Sequence, residues 1–162
     1  MKIRKIEAAD NTAVAELIRN NLEKYELDIP GTAYFDSMLD NLFEYYNGKS
    51  DREYFVLENN CGNIIGSVGY EVFPHFESCA ELQKLYLADE AKGKGLGKYL
   101  LEFIENKAGE SGFKNMYLET HTNLQTAISL YEKRGYNQIE KPASVVHSTM
   151  NRFYLKHLGN HR

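Results

Sequence analysis

Residues 91–98 read Ala91-Lys92-Gly93-Lys94-Gly95-Leu96-Gly97-Lys98, three glycines interleaved with three lysines. Glycines let a tight turn aim its backbone N–H groups inward with no side chain in the way, and a helix starting there adds unpaired amides and its positive dipole end. Such a turn suits an anion, above all a phosphate. Lys92, Lys94 and Lys98 add local positive charge to a chain that is acidic overall. Two phosphate motifs fail on spacing. A dinucleotide fingerprint needs G-x-G-x-x-G, but Lys98 stands where the glycine after Gly93 and Gly95 belongs. A Walker A loop needs a glycine five residues before Gly-Lys-Ser/Thr, whereas Gly97-Lys98 is preceded there by Lys92 and followed by Tyr99. Taken alone, the run also reads as a glycine-rich cap that opens a surface helix.

Just upstream, in Ala80-Glu81-Leu82-Gln83-Lys84-Leu85-Tyr86-Leu87, the apolar residues sit at 80 and 82 and then at 85 and 87, so a period-two alternation slips once. A β-bulge near Lys84 produces such a slip, and bulges free backbone donors and splay strands beside ligand sites. A strand buried on both faces produces it too. Glu81 falls on the face opposite Ala80 and Leu82, while Glu119 and His121 lie on a later strand. Each could accept a proton, or simply be a solvated strand-face group. Tyr25, Tyr34, Phe35, Tyr45 and Tyr46 stand beside Glu23, Glu26, Asp28 and Asp36, and could line a pocket for a cationic amine or pack helices along an acidic edge. His157 and His161 have H-x-x-x-H spacing, but Gly159 interrupts any helix between them, so no metal is expected. Cys61 and Cys79 form no C-x-x-C and are expected to be reduced thiols.

These residues need elements to position them. Lys2 to Ile6 alternates like a strand, and Asp10 or Asn11 can cap a helix with Val14, Leu17, Ile18 and Leu22 on one face. Tyr34, Met38, Leu39, Leu42, Tyr45 and Tyr46 predict a second helix ending at Asn47-Gly48. Tyr54 to Leu57 and Ile64 to Phe73 predict a hairpin through Asn59 to Asn63, and Cys79 to Leu87 a further strand. Leu96, Leu100, Leu101, Phe103, Ile104 and Ala108 mark a long helix stopped near Gly109 to Gly112. A strand at Met116 to His121, a helix at Ala127 to Tyr131 closed by Gly135, and strands at Tyr136 to Glu140 and Met150 to Leu158 complete the chain. One mixed sheet with helices on both faces accommodates this order.

Composition sets the outer bounds. The chain has 162 residues, 43% hydrophobic and 26% charged, with 12 Gly and 3 Pro, which is a single globular domain able to bury roughly 70% of its unfolded surface. A net charge of −4 with no basic face disfavours nucleic acid as a partner. Charges in Met1 to Glu7 break any leader-like apolar run, and no stretch of 18 apolar residues exists, so a cytoplasmic protein without a membrane partner is expected.

The run from Glu81 through Lys98, with Asn123 and Ala127-Ile128-Ser129-Leu130-Tyr131-Glu132-Lys133-Arg134-Gly135-Tyr136, resembles the GNAT superfamily of N-acetyltransferases. The first part is similar to its Q/R-x-x-G-x-G/A acetyl-CoA loop, with Gly95 and Gly97 in place and Lys92 where Arg or Gln is usual. Lysine keeps the charge there but loses the planar fork. The second part is similar to the A-x-x-L-Y-E-K-x-G-F/Y ending. The resemblance implies an α/β fold with a mixed, mostly antiparallel sheet of about seven strands and a splayed, bulged central strand pair.

It also implies that Lys92, Gly93, Lys94, Gly95, Leu96, Gly97 and Lys98 hold the CoA pyrophosphate through backbone amides. Leu85 and Leu87 would pair with the pantetheine arm, and the Leu85 N–H would donate to the thioester carbonyl. Asn123 would contact CoA, although it precedes Tyr131 by eight residues where seven is commoner. A neutral amine would attack the acetyl thioester, with Tyr131 as the acid for the leaving thiolate and Glu81 as the base; Glu119 and His121 are second choices. The expected function is acetyl transfer from acetyl-CoA, without a metal, to a small-molecule or protein amine. The rival is a non-catalytic acyl-CoA-binding or regulatory module. Dimerisation stays open.

Overall fold

The computed structural model describes residues 1–146 and 148–159, so His161 of the H-x-x-x-H pair lies outside the described residues. Alternating apolar residues build a seven-stranded sheet from β1 (Lys2–Lys5), β2 (Arg52–Glu58), β3 (Ile64–Val72), β4 (Cys79–Leu87), β5 (Asn115–Thr120), β6 (Asn137–Ile139) and β7 (Arg152–His157). The strand order is β1-β2-β3-β4-β5-β7-β6. All neighbours are antiparallel except β4 and β5, which run parallel.

The helices divide between the two faces. Helix α1 (Asn11–Lys24) and the short α2 (Leu42–Tyr46) cover one face, where Val14, Ile18, Leu22, Leu42 and Tyr46 pack on Tyr54 and Val56. Helix α3 (Leu96–Glu110) and α4 (Gln125–Lys133) cover the other, where Leu100, Leu101, Ile104, Ile128 and Tyr131 pack on Phe55, Leu57, Val68, Ala80, Leu82, Met116 and Leu118. The successive residues Tyr54, Phe55, Val56 and Leu57 serve the two cores in turn, as strand alternation requires.

The second helix is shorter than its periodicity predicts. Only Leu42–Tyr46 is α-helical, preceded by 3₁₀ turns at Ala33–Phe35 and Leu39–Asn41. Asp36 is extended and its carboxylate lies 3.2 Å from the Lys84 ammonium, while Asp40 receives both Arg19 guanidinium nitrogens at 2.7 and 2.8 Å. These tertiary ties, with turn-forming Asp and Asn side chains, override the helical spacing. Asn11 then caps α2 from outside, accepting from the Phe43 N–H at 2.9 Å. Cys61 is exposed, Cys79 is buried, and both are free thiols. Among the described residues no helix is long and apolar enough to cross a membrane, and no group of three or more His, Cys, Asp or Glu side chains could hold a metal.

Candidate active site

The slip in β4 is a bulge. Gly69 pairs with Gln83 and Ser67 with Tyr86, so Lys84 and Leu85 together oppose Val68. Ala80 and Leu82 before it and Leu85 and Leu87 after it all join the core under α3. Lys84 takes φ +44, a left-handed conformation that costs a residue with a Cβ about 1–2 kcal/mol. The buried Tyr54 hydroxyl holds it there, donating to the Lys84 carbonyl at 2.7 Å and sharing a hydrogen bond with the Ser67 hydroxyl at 2.9 Å. Gly69 makes room for that ring, since a Cβ added to it would lie 2.3 Å from a Tyr54 ring carbon. Neither Tyr54 nor Gly69 is marked by the sequence pattern, because the bulge alone gives them their role.

The strands β4 and β5 pair only at Cys79–Asn115, Ala80–Met116 and Glu81–Tyr117. Beyond Glu81 they part, and the turn from Lys92 to Gly95 leads into α3 at the mouth of that gap. Gly93 and Gly95 have φ of +76 and +77, and a Cβ on either would meet no protein atom within 4 Å. The space before the helix is therefore open, and Gly95 supplies no side-chain cap, so the first-turn amides of α3 face it unpaired. A pyrophosphate of the kind CoA carries fits this donor set: backbone N–H groups, a 15-residue helix behind them and lysines at the rim.

The side chains of the cradle are more committed than its backbone. Lys92 Nζ lies 2.9 Å from Asp89, which also binds Lys24 at 3.0 Å, and Lys98 reaches Glu102 at 4.0 Å. Asn123 donates its Nδ2 to the Tyr25 carbonyl at 2.9 Å, and its own N–H to His121 Nδ1 at 3.1 Å. Lys92 and Asn123 thus tie the loops around the gap to α1 and its end.

Tyr131 is buried against the core under α3 and α4, with its ring edge-on to Tyr136 at 5.8 Å. Among the described residues nothing hydrogen-bonds its hydroxyl. Burial, and secondarily the Tyr86 phenol, pushes its pKa up and keeps it protonated throughout the physiological range.

Three carboxylates share the opposite face. Glu71 and Glu81 are cross-strand partners, and Glu119 stands two residues past Tyr117, the partner of Glu81 on β5. Glu71 is neutralised by Arg52 at 3.0 Å and accepts from the Tyr45 hydroxyl. Glu119 accepts from Tyr117 at 2.8 Å and Ser148 at 3.0 Å, so both its oxygens are engaged. Among the described residues Glu81 has only the Gln83 amide, at 3.0 Å. Burial first, then the charges of Glu119 and Glu71, push Glu81 up to about 8, with Lys84 and Gln83 opposing. Of the three it has the fewest hydrogen-bond partners among the described residues. His121 is engaged with Asn123 instead. Beside this face, Thr149 donates to the Pro30 carbonyl at 2.8 Å, and Gly31, Lys141, Val146, Ser148 and Thr149 line a cleft of about 330 Å³. A groove of about 580 Å³ along β6 and β7 shares Lys141 with it and is lined by none of the three carboxylates.

A profile of the acetyltransferase (GNAT) family matches residues 15–136, three quarters of the chain. The chain belongs to the GNAT acetyltransferase family. Its relatives include the uncharacterized N-acetyltransferase YjgM of Escherichia coli, 36% identical over 140 residues that cover 85% of this chain and 83% of that protein. A GNAT-family acetyltransferase from Staphylococcus aureus superposes with a TM-score of 0.83 at 22% identity, covering 98% of this chain and 99% of that one. A phosphinothricin acetyltransferase from Sinorhizobium meliloti, solved with acetyl-CoA, superposes at 0.75 and 24% identity, covering 98% of this chain and 88% of its own. This GNAT chain is therefore an N-acetyltransferase with the bulged, splayed strand pair that the resemblance implies. The family match ends at Tyr136, so the Ser148 and Thr149 contacts lie beyond it. Glu71 escapes sequence reasoning for another reason: only the sheet register brings it to Glu81.

Proposed function

We propose that this GNAT enzyme transfers acetyl from acetyl-CoA to a primary amine by direct attack in a ternary complex. The observation that carries the reading is Glu81, a carboxyl with a pKa near 8 on the strand that parts from β5 just beyond it. The amides from Lys92 to Lys98, with Gly93, Lys94, Gly95, Leu96 and Gly97 between, hold the pyrophosphate. Leu85 and Leu87 line the pantetheine path, and the Leu85 N–H, just past the bulge, donates to the thioester carbonyl and then to the oxyanion. Asn123 supports the loop beside the cofactor.

Glu81 takes the proton from the acceptor ammonium, and its raised pKa brings it closer to that of an amine. Tyr131 gives its proton to the departing thiolate. A phenol this buried is a weak acid in water, but a thiolate leaving into the same dry gap is penalised as an anion too, so the proton passes between groups under a common constraint. The acidic face that receives the acceptor favours a cationic amine, carried by a small molecule or a protein side chain or terminus.

Thiol release from acetyl-CoA across a panel of amines tests the reading. Amine-dependent release supports it. Tight CoA binding with no amine-dependent release from any small amine or peptide would contradict it and favour an acyl-CoA-binding module.

A further inference from the structure

Lys84 occupies the left-handed position of the bulge, where glycine would carry no strain, and keeps a long cationic side chain there. That side chain does not run out to water, being only 10% exposed. Asp36, extended between the two 3₁₀ turns, holds its ammonium at 3.2 Å. The same nitrogen donates to Gln83 Oε1 at 3.4 Å, and Gln83 Nε2 donates to Glu81 Oε1 at 3.0 Å. A continuous polar chain, Asp36 to Lys84 to Gln83 to Glu81, therefore runs from the loop after α1 to the carboxyl assigned as base. Backbone strain kept where glycine would remove it points to a constraint on what the side chain does.

An ammonium can only donate, so a glutamine amide beside it presents its oxygen, and its NH2 then points the other way. We propose that Lys84 is a positioning residue of the acetyl transfer: anchored by Asp36, its ammonium turns the Gln83 amide so that the NH2 is committed to Glu81 Oε1 and the second carboxyl oxygen is left for the acceptor's proton. The proposal rests on Glu81 being the base. Among the described residues Glu81 Oε2 receives no hydrogen bond. A flipped amide would turn its own oxygen toward the carboxyl, which favours the protonated acid and disables the base. In the step the acceptor's ammonium N–H bond breaks and its proton joins Glu81 Oε2, giving a neutral amine and a protonated Glu81; Gln83 and Lys84 keep their protons.

Glu81 is faced by Glu71 from β3, Tyr117 and Glu119 from β5, and Cys79, Gln83 and Lys84 from its own strand, with Tyr46 of α2 nearby. Glu71 and Glu119 favour its protonated form, and Lys84 and Gln83 favour the carboxylate. Asp36 partly cancels the Lys84 charge from the far side of the ion pair. The two partners of that pair thus act on Glu81 in opposite senses: losing the ammonium moves its titration to higher pH, and losing the Asp36 charge moves it to lower pH.

The test follows thiol release with the best amine from about pH 6 to about pH 9.5, where kcat/KM reports the free enzyme's base, for the parent, Lys84→Met, Lys84→Arg, Asp36→Asn and Glu81→Gln. Lys84→Met keeps the side chain's length and the backbone strain, so it should move the inflection up by about half a unit to one unit and lower kcat/KM at pH 7 about 3- to 10-fold. Lys84→Arg retains the charge and should bring the inflection back toward the parental position. Asp36→Asn still offers the ammonium an oxygen but no charge, and its inflection should move down. CoA affinity should hold throughout. Opposite shifts from the two partners of one ion pair do not arise from lost packing, which lowers the rate at every pH. If Glu81→Gln abolishes the inflection while Lys84→Met leaves it unmoved, the positioning role is wrong and Glu81 stands as base. An Asp36→Asn inflection that stays or rises would also overturn the role, and this variant of a half-buried loop residue decides alone if Lys84→Met does not fold. If Glu81→Gln keeps the inflection, the base assignment fails and the role of Lys84 falls with it.

Discussion

The turn before α3 and the sheet face beneath α2 flank the same gap between β4 and β5, but they are made of different materials. The turn is backbone: Gly93 and Gly95 in left-handed conformations, and helix amides with nothing in front of them, all within one continuous stretch of chain. The face is side chains drawn from separate elements, with Glu71 on β3, Glu81 on β4, Glu119 on β5, Tyr45 on α2, and Ser148 from the loop before β7. A backbone site tolerates changes of side chain as long as the chain can still turn. A side-chain site depends on single oxygens, and its electrostatics belong to the cluster rather than to any one member.

Substitutions that cross this division have the largest expected effects. A folded Gly95→Glu variant puts a side chain into the open space before the helix, and CoA affinity measured by calorimetry should fall by about 100-fold or more, the loss of some 3 kcal/mol of charge-assisted hydrogen bonds. Lys92→Ala, by contrast, removes a side chain already paired with Asp89 and should weaken binding only a few-fold. Unchanged affinity in Gly95→Glu would break the comparison.

Tyr131→Phe removes one hydroxyl and leaves the ring in its core. If that oxygen protonates the thiolate, kcat should fall by about 10²-fold under conditions where chemistry limits the rate, with CoA affinity and Tm little changed. A donor with a more acidic thiol should narrow the gap between variant and parent. Full kcat with the natural donor would remove Tyr131 from the acid's role.

The legibility of the molecule divides along the same line. The spacing of Gly93, Gly95 and Gly97 suggested an anion-binding turn or a plain helix cap, and only the family resemblance chose between them, whereas the phase slip at Lys84, open to a bulge or a strand buried on both faces, is a bulge in the structure. The long helices and nearly every strand followed from periodicity. The segment from Tyr34 to Asn41 did not, because its apolar spacing competes with ion pairs to Lys84 and Arg19 that only the folded state supplies. Glu81 was visible as a strand-face carboxylate, but its raised pKa was not. That depends on Glu71 and Glu119, which lie ten residues before it and 38 after it.

A smaller, thermodynamic effect sharpens the contrast. The folded state raises the Glu81 pKa from an ordinary carboxylate value to about 8, so the stability tied to its protonated form is complete below about pH 4.5 and lost as pH climbs through 8. Glu81→Gln cannot ionise. Its Tm should match the parent in acid and exceed it increasingly toward pH 8 and above, by about 2–4 °C for each 1 kcal/mol that the buried charge costs the parent. Thermal melts across pH check this, and a difference independent of pH would mean that Glu81 is not held protonated.

The most direct measurement of the central claim, that Glu81 is the base for the acceptor amine, is the pH dependence of kcat/KM for one amine in the parent and in Glu81→Gln. The parent should rise with an inflection near pH 8, above which Glu81 is ionised. Glu81→Gln should lose that inflection, run 10²-fold or more below the parent at the plateau, and climb only with the fraction of amine that is already neutral, while its CoA affinity stays parental. The same inflection in both enzymes, or a loss equal at every pH, would contradict the assignment.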